Sequence, residues 1–138
     1  QLWICHLILH RVAGKAHPGQ SLLICKDLCC GYSPIEEGEK YLRELLEIYW
    51  QGLMRPLPFF SRSSFEYAQS FYKYNDRQKG LAAARRIWEG YDRGENVDPY
   101  FEICFKDTDP LGEEFCSLAE KIYMPIIRCG ELKNLWIN

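Results

Sequence analysis

The stretch that decides the fold is "YWQGLMRPLPFF", which runs from Tyr49 to Phe60. A helical pattern ends within it and is followed by two prolines and two adjacent phenylalanines. Proline lacks a backbone N–H and disfavours a helical residue before it, so Pro56 predicts the end of the helix. The apolar residues that follow could plug the core, contact a partner, or form a proline-rich ligand. Because such a ligand needs an exposed, extended tract, the apolar setting favours a structural segment.

We therefore predict a wedge that holds the end of the helix against a sheet or an adjoining domain. Its prolines fix the direction in which the chain leaves the helix, and its apolar side chains fill the space beside it. The residues of this predicted wedge are Pro56, Leu57, Pro58, Phe59 and Phe60.

Helices are predicted on both sides of the wedge. The upstream helix covers roughly Glu36 to Met54, with Ser33 as its N-cap. Its predicted inward stripe consists of Leu42, Leu45, Leu46, Tyr49 and Leu53. Downstream, the residues from Ser63 to Glu66 match a capping box. The helix that follows is predicted to bury Phe65, Ala68 and Tyr72, and Asn75 or Asp76 is predicted to cap the next one.

The ends of the chain predict two further helices and three strands. The first helix, Leu2 to Val12, is expected to bury Leu2, Cys5 and Leu9. Ser21 to Cys25 and Leu28 to Tyr32 read as a hairpin that turns at Lys26-Asp27. Tyr100 to Lys106 alternates, with Phe101, Ile103 and Phe105 on one side, which is typical of a half-buried strand. A last helix with Phe115, Leu118, Ala119 and Ile122 is expected to break or kink at Pro125. This order predicts one α+β domain over residues 1–138, mostly helical with a small sheet.

The composition limits the classes of function. A net charge of −2 and a pI of about 5.9 argue against an autonomous duplex binder, but not against a domain that lines a channel in a larger assembly. Aromatic residues make up 14% of the chain, so some are expected at an interface. The seven cysteines are an odd number and several lie in apolar runs. With no cationic leader and no stretch near the ~20 apolar residues of a membrane span, we expect a reduced cytoplasmic location and no membrane contact.

Two groups of metal-binding residue types are present without the right spacing. Cys25, Cys29, Cys30 and His17 do not form the paired C-x-x-C spacing of a structural zinc site. His6 and His10 are four residues apart, but the intervening residues include no glutamate that could act as a base. We expect buried thiols and packed histidines, and no cofactor.

A magnesium-dependent nuclease needs clustered carboxylates and a nearby lysine. The acid-x-Lys tripeptide Glu131-Leu132-Lys133 has neither a convincing strand nor a partner acid in the sequence. Asp98 and Glu102 are the other acids that such a site could use. The sequence predicts that the domain is not an enzyme, and an active nuclease stays as the alternative.

A modest basic helix face lies in the middle of the chain. It comprises Arg77, Lys79, Arg85 and Arg86, near Lys73 and two tyrosines. Such faces are usually solvated surface, and contact with DNA phosphates is the more specific alternative hypothesis.

The segment "LRELLEIYWQGLMRPLPFFSRSSFEYA", Leu42 to Ala68, resembles the C-terminal domain of the RecC family, the gamma chain of exodeoxyribonuclease V. Three flanking segments resemble the family in the same order: "LWICHLILHRVAG", "RRIWEGYDRGENVDPYFEICF" and "FCSLAEKIYMPII". The cysteine-rich stretch around Cys29 departs from the family pattern.

The resemblance implies a degenerate PD-(D/E)xK nuclease-like fold without an active site. It further implies that the first strands of that fold are missing from this piece of a longer chain. It also implies a scaffold role in the bacterial RecBCD helicase–nuclease, which repairs double-strand breaks. The implied partners are RecB-like and RecD-like subunits, with DNA in the context of the complex.

Overall fold

The computed structural model describes residues 1–13, 19–24, 28–90 and 94–134. They form two compact units, which are described separately. The first unit comprises Gln1–Tyr49 and Arg128–Asn138, and the second comprises Trp50–Ile127. The helices are α1 Leu2–Ala13, α2 Gly38–Met54, α3 Ser61–Tyr74, α4 Arg77–Trp88, α5 Pro99–Phe105 and α6 Glu113–Cys129. The strands are β1 Ser21–Ile24, β2 Leu28–Tyr32 and β3 Gly130–Asn134. The prediction of a mostly helical α+β chain with a small sheet is confirmed.

The first unit contains a three-stranded antiparallel sheet in the order β1-β2-β3. The predicted hairpin is confirmed, with Ser21 opposite Tyr32 and Ile24 opposite Cys29. Cys25 and the predicted turn at Lys26-Asp27 lie outside the described residues. The expectation that residues 131–133 lie outside a strand is wrong, because β3 pairs with β2. Strand pairing supplies backbone hydrogen bonds that a short segment's own sequence does not reveal.

The buried face of α1 differs from the predicted one. Trp3, His6 and Leu7 are buried, whereas Cys5 and Leu9 are exposed. His6 is fully buried because its ring nitrogens have polar partners, the Ser21 Oγ at 2.9 Å and the Ser33 carbonyl oxygen at 3.1 Å. A count of apolar residues assigns His6 to the solvent-facing side of α1. Its burial is stable because its ring nitrogens have polar partners.

The second unit surrounds an aromatic core. Phe60 lies at its centre, with ring centroids 4.2 Å from Trp88, 4.9 Å from Phe101 and 5.4 Å from Phe105. The buried cluster is completed by Tyr67, Ala68, Ala84, Leu111, Phe115, Cys116, Ala119 and Met124. Pro125 lies inside α6, and the helix continues past it to Cys129.

The predicted strand over Tyr100 to Lys106 is wrong, because this segment is α5. The Asp98 side chain accepts a hydrogen bond from the Tyr100 N–H, and Pro99 occupies the first helical turn. Phe101 and Phe105, four residues apart, both contact Phe60, whereas Ile103 is 81% exposed. Residues four apart satisfy strand alternation and helical spacing equally, so the alternation did not distinguish the two.

The start of α3 also differs from prediction. The helix begins at Ser61, so the predicted capping box at Ser63 to Glu66 is wrong. The buried carboxylate of Glu95 does the capping: it accepts hydrogen bonds from the Arg62 N–H at 3.0 Å and the Ser63 N–H at 2.7 Å. At the other end, Asp76 caps α4 as predicted, accepting from the backbone N–H groups of Gln78 and Lys79.

Two further predicted faces need correction. In α3, Ala68 is buried as expected, but Phe65 and Tyr72 are exposed and Tyr67 is buried instead. The upstream helix begins at Gly38, so Ser33 is not its N-cap. None of the helices in the described ranges has both the length and the apolar character to cross a membrane.

Candidate functional site

The face of α2 that was predicted to point inward is exposed over most of its length. Leu42 and Leu45 are half-buried, as are Tyr41 and Ile48 beside them. Tyr41 has its ring centroid 6.1 Å from that of Trp3, which fixes this face of the helix toward α1. The predicted inward stripe is therefore wrong for Leu46, Tyr49 and Leu53, which are exposed, whereas Leu42 and Leu45 are half-buried.

The exposed apolar residues in the C-terminal half of α2 form what we call the apolar stripe. Its members are between 59% and 74% exposed and recur at the i, i+3, i+4, i+7, i+8 spacing of one helical face: Leu46, Tyr49, Trp50, Leu53 and Met54. Trp50 and Met54 were not among the predicted residues. The sequence signal that could have found them is the same spacing, continued to the last turn before Pro56.

The predicted wedge divides into exposed and buried parts. Pro56 is exposed, Leu57 and Phe59 are half-buried, and Pro58 and Phe60 are buried. The Phe59 ring stacks on Tyr123 with centroids 5.7 Å apart, inside the second unit. Contact of this segment with another chain stays a prediction.

Two of the four predicted phosphate-binding residues are held by carboxylates. Arg77 contacts Glu113 at 3.0 Å and Glu120 at 3.4 Å. Arg85 contacts Glu89 at 3.0 Å and Asp109 at 2.5 Å. The Arg85 guanidinium lowers the pKa of the Asp109 carboxyl below its ordinary value, and its hydrogen bond is the main cause.

Lys79 and Arg86, the other two, have no carboxylate partner within ion-pair distance among the described residues. The Lys79 ammonium lies 4.9 Å from the centroid of the Tyr74 ring, and that of Lys73 lies 5.1 Å from it. Phosphate contact by the four predicted residues stays a prediction, and within the described ranges Lys79 and Arg86 are the two whose charges no carboxylate pairs with.

A partly buried polar network lies between α3, α4 and α6. The Tyr67 hydroxyl donates to the Glu120 carboxylate at 2.7 Å, and Arg77 lies against the same carboxylate. Burial and this hydrogen bond raise the pKa of Tyr67 well above its ordinary value. Burial likewise raises the pKa of the Cys116 thiol. The network joins the three helices and is therefore structural.

The candidate metal-binding residues are dispersed. Cys29 and Cys30 are neighbours on β2, so their side chains leave opposite faces of the sheet. His17 and Cys25 lie outside the described residues. The His6 and His10 rings meet edge to face at 4.6 Å, and His10 Nε2 lies 2.9 Å from the Gly19 carbonyl oxygen. In the part of the chain that the structure describes, no three His, Cys, Asp or Glu side chains come together as a metal site.

The candidate nuclease acids fall in different elements. Asp98 caps α5, and Glu102 is exposed on the first turn of that helix. Glu131 lies on β3, where its backbone partner is Gly31. The other two described strands of the sheet, β1 and β2, have the sequences SLLI and LCCGY, which contain no acid.

A family comparison decides what the chain is related to. The model of the RecC C-terminal domain matches residues 1–72, slightly more than half of the chain. The chain belongs to the RecC C-terminal domain family. The resemblance of Leu42 to Ala68 is thereby confirmed, since this segment lies inside the match. No curated protein matches the chain.

The matched segment contains some of the features described above, and others lie beyond it. It covers α1, the β1–β2 hairpin, α2 and nearly all of α3, and thus contains both the apolar stripe and the predicted wedge. The basic residues of α4 and the acids from Asp98 onward lie beyond it.

Proposed function

We propose that this chain is a non-catalytic scaffold domain of a RecBCD-type helicase–nuclease in the bacterial cytoplasm. Its role is to contact RecB-like and RecD-like subunits and to help separate or guide DNA strands during double-strand break repair. Membership of the RecC C-terminal domain family supports the kind of assembly. The degenerate nuclease-like fold that the sequence resemblance implies is part of the same proposal.

The apolar stripe of α2 is the observation that carries the scaffold role. Soluble proteins rarely leave a contiguous apolar surface of this kind open to water, and an open one usually marks a contact with another macromolecule. Burying one such side chain contributes about 1.5–3 kcal/mol, so the five together could anchor a subunit. The fitting occupant is an apolar surface of a partner subunit, because the stripe contains no charged residue to be left unpaired.

Co-purification with the partner subunits tests this role. The double substitution Trp50→Asp, Leu53→Asp places two charges on the stripe and is expected to abolish co-purification with the RecB-like or RecD-like subunit. Ile103→Asp is the control, since Ile103 is an even more exposed apolar residue and lies outside the stripe, on α5. Unchanged co-purification of the stripe variant, with the fold intact by circular dichroism, would contradict the proposed interface.

One observation favours the alternative of an active nuclease. The tripeptide Glu131-Leu132-Lys133 lies in a strand, which is the setting that the acid-x-Lys arrangement uses. Incubation of the purified chain with linear DNA and Mg²⁺ or Mn²⁺ tests the alternative. The scaffold proposal expects no cleavage. Cleavage that disappears on Glu131→Ala or Glu102→Ala would replace the scaffold proposal with catalysis.

A further inference from the structure

The charges beside the apolar stripe indicate what kind of partner covers it. We infer that the stripe binds an amphipathic helix of a partner subunit, and that this helix carries lysine or arginine along the edge that faces Glu44 and Glu47. The inference rests on the proposed function, because it concerns the same surface. It adds the class of partner, which the family match does not specify.

The position of the two acids on α2 is the first observation. Glu47 precedes Trp50 by three residues and Met54 by seven, so the three side chains follow one line along the helix surface. Glu44 lies about one turn before Glu47. Glu47 is exposed and Glu44 is half-buried. A partner that covers the stripe therefore also comes within reach of both carboxylates.

The second observation is that these two acids have no ion pair. The cations on the same helix contact other acids, in the pairs Lys40–Glu37 at 3.2 Å and Arg43–Glu39 at 3.4 Å. Arg43 lies four residues before Glu47, but its guanidinium is directed to Glu39 instead. Within the described ranges, neither Glu44 nor Glu47 has a cation at ion-pair distance. Two carboxylates beside the stripe are therefore open to cations of a partner.

A depression of about 520 Å³ lies along the N-terminal half of α2 and supplies the third observation. Its lining consists of four acids and two bases, Glu37, Glu39, Lys40, Arg43, Glu44 and Glu47. Both bases are paired with acids of the same lining, so the depression keeps a negative charge. A cationic side chain that extends from a helix on the stripe enters this depression and meets an unpaired carboxylate there.

The shape of the stripe favours a helix over an extended segment. Its side chains form a convex ridge on one helix, and such a ridge packs into the groove between the side chains of another helix. An extended segment instead binds through the open backbone groups of a sheet edge. The backbone groups of α2 are used within the helix, so recognition depends on side chains. The 17 residues of α2 offer a partner helix a length of about 25 Å.

Charges at the edge of an apolar contact select the partner more than they strengthen the contact. An exposed ion pair increases affinity by no more than about fivefold, whereas like charges that face each other oppose binding. A helix with glutamate along the same edge would place like charges opposite Glu44 and Glu47. The two acids therefore distinguish a basic amphipathic helix from an acidic one that has the same apolar face.

Fluorescence anisotropy of the full chain with two labelled synthetic peptides tests the inference. Each peptide is a helix of about 18 residues with the same leucine face, and its edge carries lysine in one peptide and glutamate in the other. The chain is expected to bind the lysine peptide at least about tenfold more tightly than the glutamate peptide. The double substitution Glu44→Lys, Glu47→Lys should reverse this preference.

Further variants show where the peptides bind. The double substitution Trp50→Asp, Leu53→Asp should abolish binding of both peptides, because it removes the apolar contact. Glu47→Lys alone should lower the preference for the lysine peptide by about fivefold. Glu102→Lys is its matched control, since it makes the same change of charge at an exposed glutamate on α5, outside the stripe, and should leave the preference unchanged. Circular dichroism confirms that each variant is folded.

Four results would overturn the inference. The first two are equal binding of the two peptides and no binding of either. The third is an equal loss of preference in Glu47→Lys and Glu102→Lys, which would mean that net charge alone attracts the lysine peptide. The fourth is a dimer of the chain, seen by analytical ultracentrifugation, that Trp50→Asp, Leu53→Asp dissociates. Such a dimer would identify a second copy of the chain as the occupant of the stripe.

The co-purification test separates this inference from the proposed function. If the stripe variant loses its partner subunit but the two peptides bind equally, the proposed interface stands and the basic helix is rejected. If co-purification is unchanged in the stripe variant, the proposed interface itself is rejected, whatever the peptides show.

Discussion

The two halves of the stretch from Tyr49 to Phe60 each contain two aromatic residues and a leucine, but they differ in burial. Trp50, in the first half, is 65% exposed at the end of α2, whereas Phe60, in the second, is completely buried among four aromatic rings. The helix leaves its apolar stripe exposed, whereas the segment after Pro56 places Phe60 in the core of the second unit. An apolar run in a sequence therefore does not by itself show whether its residues form a core or a contact surface. Their burial depends on which other elements pack against them.

The largest effect expected from this comparison is on stability. Phe60→Ala removes a ring that touches Trp88, Phe101, Phe105 and Phe115, and should lower the free energy of unfolding by about 3–5 kcal/mol. Trp50→Ala should change it by no more than about 0.5 kcal/mol, because the side chain is already in water. Urea denaturation of the two variants measures both values. Equal losses of unfolding free energy in Phe60→Ala and Trp50→Ala would contradict the difference in burial between the two halves.

The cap that follows the buried half should have the next largest effect. Glu95→Ala leaves the backbone N–H groups of Arg62 and Ser63 without their acceptor, which should cost about 2 kcal/mol. Glu95→Gln, which keeps one acceptor oxygen, should cost less. Glu102→Gln, at an exposed site, serves as the control in the same urea series. A loss for Glu95→Ala no greater than that of the control would show that Glu95 does not anchor this region.

Alkaline pH should sharpen the contrast between buried and exposed aromatic residues. Burial raises the pKa of Tyr67 and of Tyr123, and each hydroxyl donates a hydrogen bond. A raised pKa in the folded state means that the unfolded chain loses these protons first. The contribution of these two tyrosines to stability should therefore be constant below about pH 10 and fall as pH rises above it.

Thermal unfolding measured between neutral pH and about pH 11 checks this expectation. Tyr123→Phe, which cannot ionise there, should reduce the alkaline loss of stability. A midpoint that does not respond to alkaline pH would contradict the burial of these phenols.

The smallest effect is expected at the Arg85–Asp109 pair on the surface. Arg85 lowers the pKa of Asp109, so the pair stabilises the fold above the ordinary carboxyl pKa and loses this contribution as pH falls through the lowered value. Both side chains are largely exposed, so Asp109→Asn should cost less than about 1 kcal/mol. A urea series at neutral and acidic pH measures the difference. A larger loss would mean that surface charge contributes as much as the cap at Glu95.

The sequence predicted the features that depend on local chemistry. Pro56 ends α2 as expected, and Asp76 caps α4 because its side chain reaches N–H groups two and three residues away. The β1–β2 hairpin was found from its short apolar strands.

The features that were missed depend on distant partners. Glu95 caps a helix that lies more than thirty residues earlier in the sequence, and no local pattern marks it. β3 is a strand because β2 is beside it, and His6 is buried because Ser21 and Ser33 satisfy its ring. α5 was mistaken for a strand because Phe101 and Phe105 fit both periods. In the candidate site, the spacing of the apolar stripe was visible, but its exposure was not.

Photo-crosslinking from the apolar stripe tests the central claim most directly. The photoreactive p-benzoylphenylalanine would replace Trp50 in one sample and Ile103 in a matched one, each assembled with RecB-like and RecD-like subunits and irradiated. The scaffold account predicts a crosslink to a partner subunit from position 50 and none from position 103. A crosslink from position 103 alone, or none from either position in an intact assembly, would contradict it.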